Sequence, residues 1–271
     1  MKQNLFIKYL ILLFISQLFV GCEFYPLIQK SYFANPPNAA YFQYEKEKNI
    51  KFSGNFSHAQ IQSNIILFKH FGLSAGLMGG FYKHGADIGG VYFTNFSPSG
   101  YFELQGGAGF YQDKTSWVKT LAATGASYQV WFDYTIDSKY RKMYAQPSYF
   151  FKVNQDIKLG LTLKANYVYF SKYFYEYSRA EYQDQMQISA PYDYGKADTK
   201  NISCFVYEPT LTIQQVKDMK RYFIQLSYVY STNAFTTSAS SWGQEYQSNH
   251  PQHADFVIAA GIEFKFGKPK E

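Results

Sequence analysis

Residues 156–170 read Asp-Ile-Lys-Leu-Gly-Leu-Thr-Leu-Lys-Ala-Asn-Tyr-Val-Tyr-Phe. Ile157, Leu159, Leu161, Leu163, Ala165, Tyr167 and Tyr169 share one parity; Lys158, Gly160, Thr162, Lys164 and Asn166 share the other. Side chains alternate across a strand, so the segment has one apolar and one polar face, whereas a helix would scatter the same residues around its cylinder. A globular strand runs about 5–6 residues, and a tilted strand crossing a bilayer about 9–11. The stretch therefore predicts a membrane strand, and a lone strand cannot satisfy its edges in lipid.

The pattern repeats along the chain. Alternation of the same kind runs through residues 50–57, 59–67, 73–81, 101–110, 143–152, 205–214, 222–230 and 255–266, and less cleanly through 86–96. With the opening segment, the seventh in order, that predicts ten strands. Connections after even strands are short (68–72, 97–100, 153–156 and 215–220), and the long ones (112–139, 171–202 and 232–253) follow odd strands. Outer-membrane barrels carry short periplasmic turns and long outer loops, with both termini periplasmic. The fold class predicted is all-β: an antiparallel up-and-down transmembrane β-barrel of ten strands, or twelve if residues 126–137 form a membrane strand of their own. Pro147 cannot donate to a ladder and allows a bulge there.

Alternation alone does not say which face is outside. The polar faces are rich in Gly, Ser, Thr, Gln and Asn with few charges, unlike a soluble exterior. Tyr167, Tyr169, Tyr228 and Tyr230 end apolar faces at one rim, as an interfacial girdle would. Composition agrees: 21% of residues are aromatic, mean hydropathy is −0.31, and 17% are charged. The net charge of +6 is scattered, so no nucleic-acid footprint is present.

Lys2 and Lys8 precede an apolar run, Tyr9 to Val20, and then Gly21 and Cys22. A basic start, a short apolar core and a small residue before the cut make a secretory signal. The stretch Leu18-Phe19-Val20-Gly21-Cys22 resembles a bacterial lipobox, in which the cysteine is acylated (diacylglycerol, palmitate-class chains) and becomes the mature N-terminus; Phe19 departs from the usual leucine. The division predicted is a lipoprotein signal helix over 1–21, an extended tether over 22–48 with Pro26, Pro36 and Pro37, a barrel over 49–267 and a tail over 268–271. Cys204 would then be the one free thiol, a small apolar residue on a strand.

Gly21-Cys22, the segment Asn35-Pro36-Pro37-Asn38-Ala39-Ala40-Tyr41-Phe42, the Ala145-Gln146-Pro147-Ser148 strand and the Tyr207-Glu208-Pro209 strand together resemble the uncharacterised outer-membrane β-barrel lipoproteins of the Bacteroidetes type. The resemblance implies a fold and an outer-membrane location, lipid-anchored at Cys22, and brings no catalytic residues.

Candidate chemistry is thin. His250 and His253 lie three apart in an outer loop without a third ligand nearby, and a solvated loop accounts for them. His58 and His84 fall at the same rim. His84 with Asp87, or His253 with Asp255, could be recruited as a base and its orienter, but no motif fixes a nucleophile. No cofactor is expected. Lys152, Lys158, Lys164, Glu103, Glu208, Asp255, Glu263 and Lys265 point inward on this parity. They make either an interior network plugging the barrel or a narrow pore of mixed charge. Inward Gly76, Gly80, Gly107, Gly109, Gly160 and Gly261 leave space and keep the pore open as a reading. The expectation is a non-enzymatic outer-membrane lipoprotein with a structural or surface-interaction role, contacting membrane lipids and, through loops 112–139, 171–202 and 232–253, protein partners. The alternatives are a passive pore for small solutes and a periplasmic lipid-anchored soluble barrel binding an apolar ligand.

Overall fold

The computed structural model describes residues 47–54, 58–97, 99–122, 128–183, 193–217, 219–231, 236–241, 244–249 and 254–266. The signal segment, Cys22, nearly all of the tether, Trp242, His250 and His253 lie outside them.

Ten strands wind around a closed antiparallel barrel in chain order: β1 (Lys48–Gly54), β2 (Ala59–Phe68), β3 (Phe71–Gly79), β4 (Lys83–Asn95), β5 (Gly100–Ala122), β6 (Tyr128–Lys152), β7 (Ile157–Gln183), β9 (Ile202–Lys217), β10 (Lys220–Ser231) and β13 (Ala254–Phe266). The seam pairs β1 with β13 from Lys48↔Phe266 to Gly54↔Ala260, so the barrel has no edge. Three further strands, β8 (Asp193–Thr199), β11 (Thr236–Ser241) and β12 (Gln244–Asn249), continue the sheet from the upper part of β7 in the order β8, β11, β12.

The parity of 156–170 resolves directly. Leu161 and Leu163 are 54% and 47% exposed on the outside, while Lys158 and Lys164 are 1% and 3% exposed in the lumen. A soluble barrel would reverse this, because water outside and hydrocarbon inside would demand the opposite faces. Aromatics edge the apolar band at both ends: Tyr92, Phe71, Phe96 and Tyr149 near the tight turns, and Phe110, Tyr167, Tyr169, Phe205 and Tyr228 near the long connections, all exposed. Trp and Tyr side chains favour such interfaces because one end is apolar and the other wet.

The tight turns have local causes. Lys69 and His70 alone separate β2 from β3. The Asn154 carboxamide oxygen accepts from the backbone N–H groups of Asp156 at 2.9 Å and Ile157 at 2.8 Å, which bends the chain into β7.

Three expectations are corrected. Residues 128–137 are no separate membrane strand; they are the upper part of β6, paired with β5 from Asp137↔Lys114 to Gln129↔Ala122, so the barrel has ten strands. The regions 171–202 and 232–253 contain strand (the end of β7 with β8, and β11 with β12) rather than irregular loop alone, whereas over 112–139 β5 and β6 extend above the membrane, as the alternating residues 128–136 allow. The β6–β7 register is unbroken across Pro147, from Ala145↔Ala165 to Ser148↔Thr162; the irregularity falls between Lys139 and Tyr140, where Ser171 is extra. Pro147 is accommodated by omission of its ladder bond, not by a bulge.

Candidate functional site: a filled, charged lumen

The inward faces converge on a packed polar core. Lys51, Lys142, Lys158, Lys164, Arg221 and Lys265 are buried together with Glu47, Glu103, Asp113, Glu208 and Glu263. Unpaired buried charge is costly, so each must find an opposite charge, a dipole or a ring.

At the tight-turn end, Arg221 on β10 has no exposure. Its guanidinium reaches Glu263 on β13 at 3.0 Å and Glu47 at 3.4 Å. Lys265 approaches the same Glu47 oxygen at 3.6 Å. Glu263 lies directly across the ladders from both Arg221 and Lys51. Glu47, the residue just before β1, thus contributes its carboxylate to the lumen. Midway up, Lys164 and Glu208 are cross-strand neighbours on β7 and β9. Asn166 donates to Glu208 at 2.8 Å, and Tyr101 donates its hydroxyl proton to Glu103 at 2.7 Å. Gln105 donates to Ser74 at 2.8 Å and to Tyr144 at 3.2 Å. At the upper rim Lys83 stands 3.6 Å from Asp113, and Tyr111 donates to Asp87 at 2.8 Å.

Among the described residues, four inward glycines are covered from across the ladder. Each has an aromatic residue directly across its ladder: Gly85–Tyr111, Gly107–Tyr144, Gly160–Phe150 and Gly261–Phe223. A Cβ on Gly85, Gly160 or Gly261 would collide with the ring of Tyr111, Phe150 or Phe223, and one on Gly107 would meet the Tyr144 hydroxyl at 2.7 Å. Such cross-strand pairs bury a glycine beneath an aromatic face. Three of the rings then take a lysine: Lys51 over Phe223 at 4.4 Å, Lys142 over Tyr111 at 4.5 Å and Lys164 over Tyr144 at 5.0 Å. A cation on an aromatic face gains about 0.5–2 kcal/mol, more as water is excluded. The open-space expectation is overturned for Gly107, Gly160 and Gly261; at Gly76 the space is taken by the Asp87 carboxylate, at Gly109 by the Ala86 backbone and the Tyr111 ring, and Gly80 is exposed outside the strands. Where a ring stands opposite, it takes the space that the missing Cβ makes, and at Gly85, Gly107 and Gly261 an ammonium group takes the ring.

A second aromatic run, Tyr111, Tyr140, Phe170 and Tyr173, crosses the upper lumen with centroids 5.1 to 5.5 Å apart. Ile66, Val91, Phe93, Tyr101 and Phe150 form an apolar cluster at the other end.

Of the inward charges predicted, Lys158, Lys164, Glu103, Glu208, Glu263 and Lys265 are in this core. Lys152 is exposed at the tight-turn mouth, and the Asp255 side chain lies outside the described ones. Glu47, Arg221, Lys51, Lys142 and Asp113 were not singled out, although the parity of Arg221 with Phe223 and of Lys142 with Tyr144 carries the signal. The histidines do not assemble. His58 is buried beside Lys83 and Lys142 at the upper rim, His84 is exposed on β4, and His70 occupies a turn at the opposite end. His84 and Asp87 are three apart on one strand and so face opposite ways. Among the described residues no group of His, Cys, Asp and Glu could hold a metal. Cys204 is buried.

No family model and no curated protein matches the chain. Among solved structures it is similar to the outer membrane protease OmpT from Escherichia coli, at 10% identity over 82% of this chain and 97% of that one, with a TM-score of 0.46. The translocator domain of the autotransporter NalP from Neisseria meningitidis gives 9% identity over 82% and 87%, with a TM-score of 0.38. The KdgM porin gives 8% over 82% and 99%, with a TM-score of 0.31. At these values none of them assigns an activity to this chain.

Proposed function

We propose that this chain is a non-enzymatic outer-membrane β-barrel lipoprotein of the Bacteroidetes type, anchored by acyl chains at Cys22 as well as by its barrel. It acts as a structural or contact element through its outer surface and neither conducts solutes nor catalyses. The observation that carries the reading is the filled lumen, where Asn49, Gln105, Gln146, Asn166, Glu208 and Arg221 all have 1% exposure or less. Barrels of about eight strands are filled by side chains and those of 16–18 hold aqueous channels, and ten strands lie near the filled end. The extended β5–β6–β7 sheet, continued by β8, β11 and β12, offers the surface for partners.

Vesicle swelling with sugars and amino acids tests the sealed lumen: no uptake above protein-free vesicles is expected, and solute-selective swelling would establish the pore instead. Labelling with a palmitate analogue tests the anchor. Wild type should take up label and Cys22→Ala should not; equal labelling would overturn the lipoprotein.

A further inference from the structure

Basic side chains ring the outside of the barrel at one place. On β6, Arg141 and Lys139 are exposed and follow the last apolar outward residues, Met143 and Ala145. Arg141 lies across the ladders from Phe110 on β5 and Tyr169 on β7, both exposed members of the upper aromatic girdle. Lys139 and its cross-strand neighbour Lys172 form the next row up, and Lys114 the row above, beside Asp137. The carboxylate of Asp137 is taken by Lys172. Arg141 and Lys139 make no ion pair among the described residues. Two residues apart on one strand face, their Cα atoms are separated by about 7 Å. A guanidinium and an ammonium at that spacing suit one phosphate between them, the guanidinium by paired hydrogen bonds.

Below the cations the lipid-facing surface is hollow. An open groove of about 840 Å³ runs beneath Arg141, floored by Ala86, Ala108 and Gly109 and walled by Ile88 and Met143. One row further into the membrane, four small residues stand side by side across four strands: Gly90, Gly106, Ala145 and Ala165. These glycines face outward and have no ring above them. A Cβ on Gly90 would meet nothing within 4 Å, and one on Gly106 only a backbone oxygen at 3.6 Å. Lumen packing therefore does not explain them, but a trough for a hydrocarbon chain does.

We infer that the outer face of β4–β7 binds a membrane lipid with a phosphorylated, anionic headgroup, the phosphate held by Arg141 and Lys139 and an acyl chain laid in the trough over Ala108 and Gly106. Apolar wall and cationic rim meet at the height where such a lipid has its own boundary between chain and headgroup. The inference rests on the membrane reading above, since it takes the girdle at Tyr167 and Tyr169 as the outer interface.

The test uses the full-length protein in phosphatidylethanolamine vesicles containing either bis-phosphorylated lipid A or the same lipid dephosphorylated. Vesicle flotation and heat-modifiable migration are read first, then lipid adducts by native mass spectrometry after extraction. Wild type should retain the phosphorylated lipid about tenfold more than Lys139→Ala/Arg141→Ala does, the scale of one charge-assisted phosphate contact. It should also prefer it to the dephosphorylated form. Ala108→Phe should lower retention with both cations in place, and Lys152→Ala at the opposite mouth should leave it unchanged. Equal retention by the double variant, or equal retention of the two lipids, overturns the site while the membrane reading stands. Failure of wild type to float overturns both.

Discussion

Arg221 links two buried carboxylates, one on β13 and one just before β1. It holds both, Glu263 and Glu47, at full burial. Replacing one partner of a buried pair leaves uncompensated charge and costs about 3–5 kcal/mol, whereas an apolar substitute for the whole set can be nearly neutral. Arg221→Met should therefore lower the free energy of unfolding from vesicles by about 3–5 kcal/mol, and adding Glu263→Gln should return part of it. Denaturant titration followed by tryptophan fluorescence measures this; additive losses would show that the two groups do not interact. At the opposite rim, burial, reinforced by the nearby cations Lys83 and Lys142, pushes the His58 imidazole down to about 4. An ordinary histidine titrates near 6.5, so between about 6.5 and 4 the unfolded chain binds the proton and the folded one resists it. The stability due to neutral His58 is complete above about 6.5 and is lost as pH falls toward 4. Wild type should show a falling denaturation midpoint across that window and His58→Gln a flatter one; parallel curves would contradict it.

At the scale of strands, the glycine–aromatic pairs set how closely neighbouring strands pack inside. Gly261 lies on the closing strand, and a Cβ there would meet the backbone oxygen of Phe52 on β1 at 2.2 Å as well as the Phe223 ring. Backbone cannot rotate aside as a side chain can, so Gly261→Ala strains the seam itself. The heat-modified band should weaken for Gly261→Ala and persist for Gly90→Ala, whose added methyl enters open space. Equal behaviour of the two would show that inward and outward glycines are not distinct. The existence of the ten strands, their order and the outward face were legible in the sequence because a period of two runs cleanly through the membrane segments other than β4, where Val91 and Phe93 point inward. The extension of β6 was legible in part, in the alternation of Tyr128, Val130, Phe132, Tyr134 and Ile136; the end of β7 and the strands β8, β11 and β12 were not, since outside the membrane neither face must be apolar and alternation fades. The glycines misled for a related reason. Parity says that Gly160 points inward, but only the β6–β7 register reveals Phe150 directly across from it.

For the molecule as a whole, the balance of interior charge belongs to closure rather than to any one strand. Glu47 on one side of the seam meets Arg221 and Lys265 on two other strands, contacts that exist only once β1 and β13 are joined. Sequence reading could name the inward lysines and glutamates of single strands, but not partners 174 residues apart. That arrangement ties the described charges of the lumen to closure of the barrel. The most direct test is a single-site spin-label scan along residues 157–169 in vesicles, with collision rates measured for oxygen, which dissolves in lipid, and for a water-soluble nickel chelate. Odd positions should collide with oxygen and even positions with neither reagent, because the lumen is sealed to both. Nickel-accessible even positions would mean an open channel, and odd positions shielded from oxygen would mean that the leucines face a core and the chain does not cross the membrane.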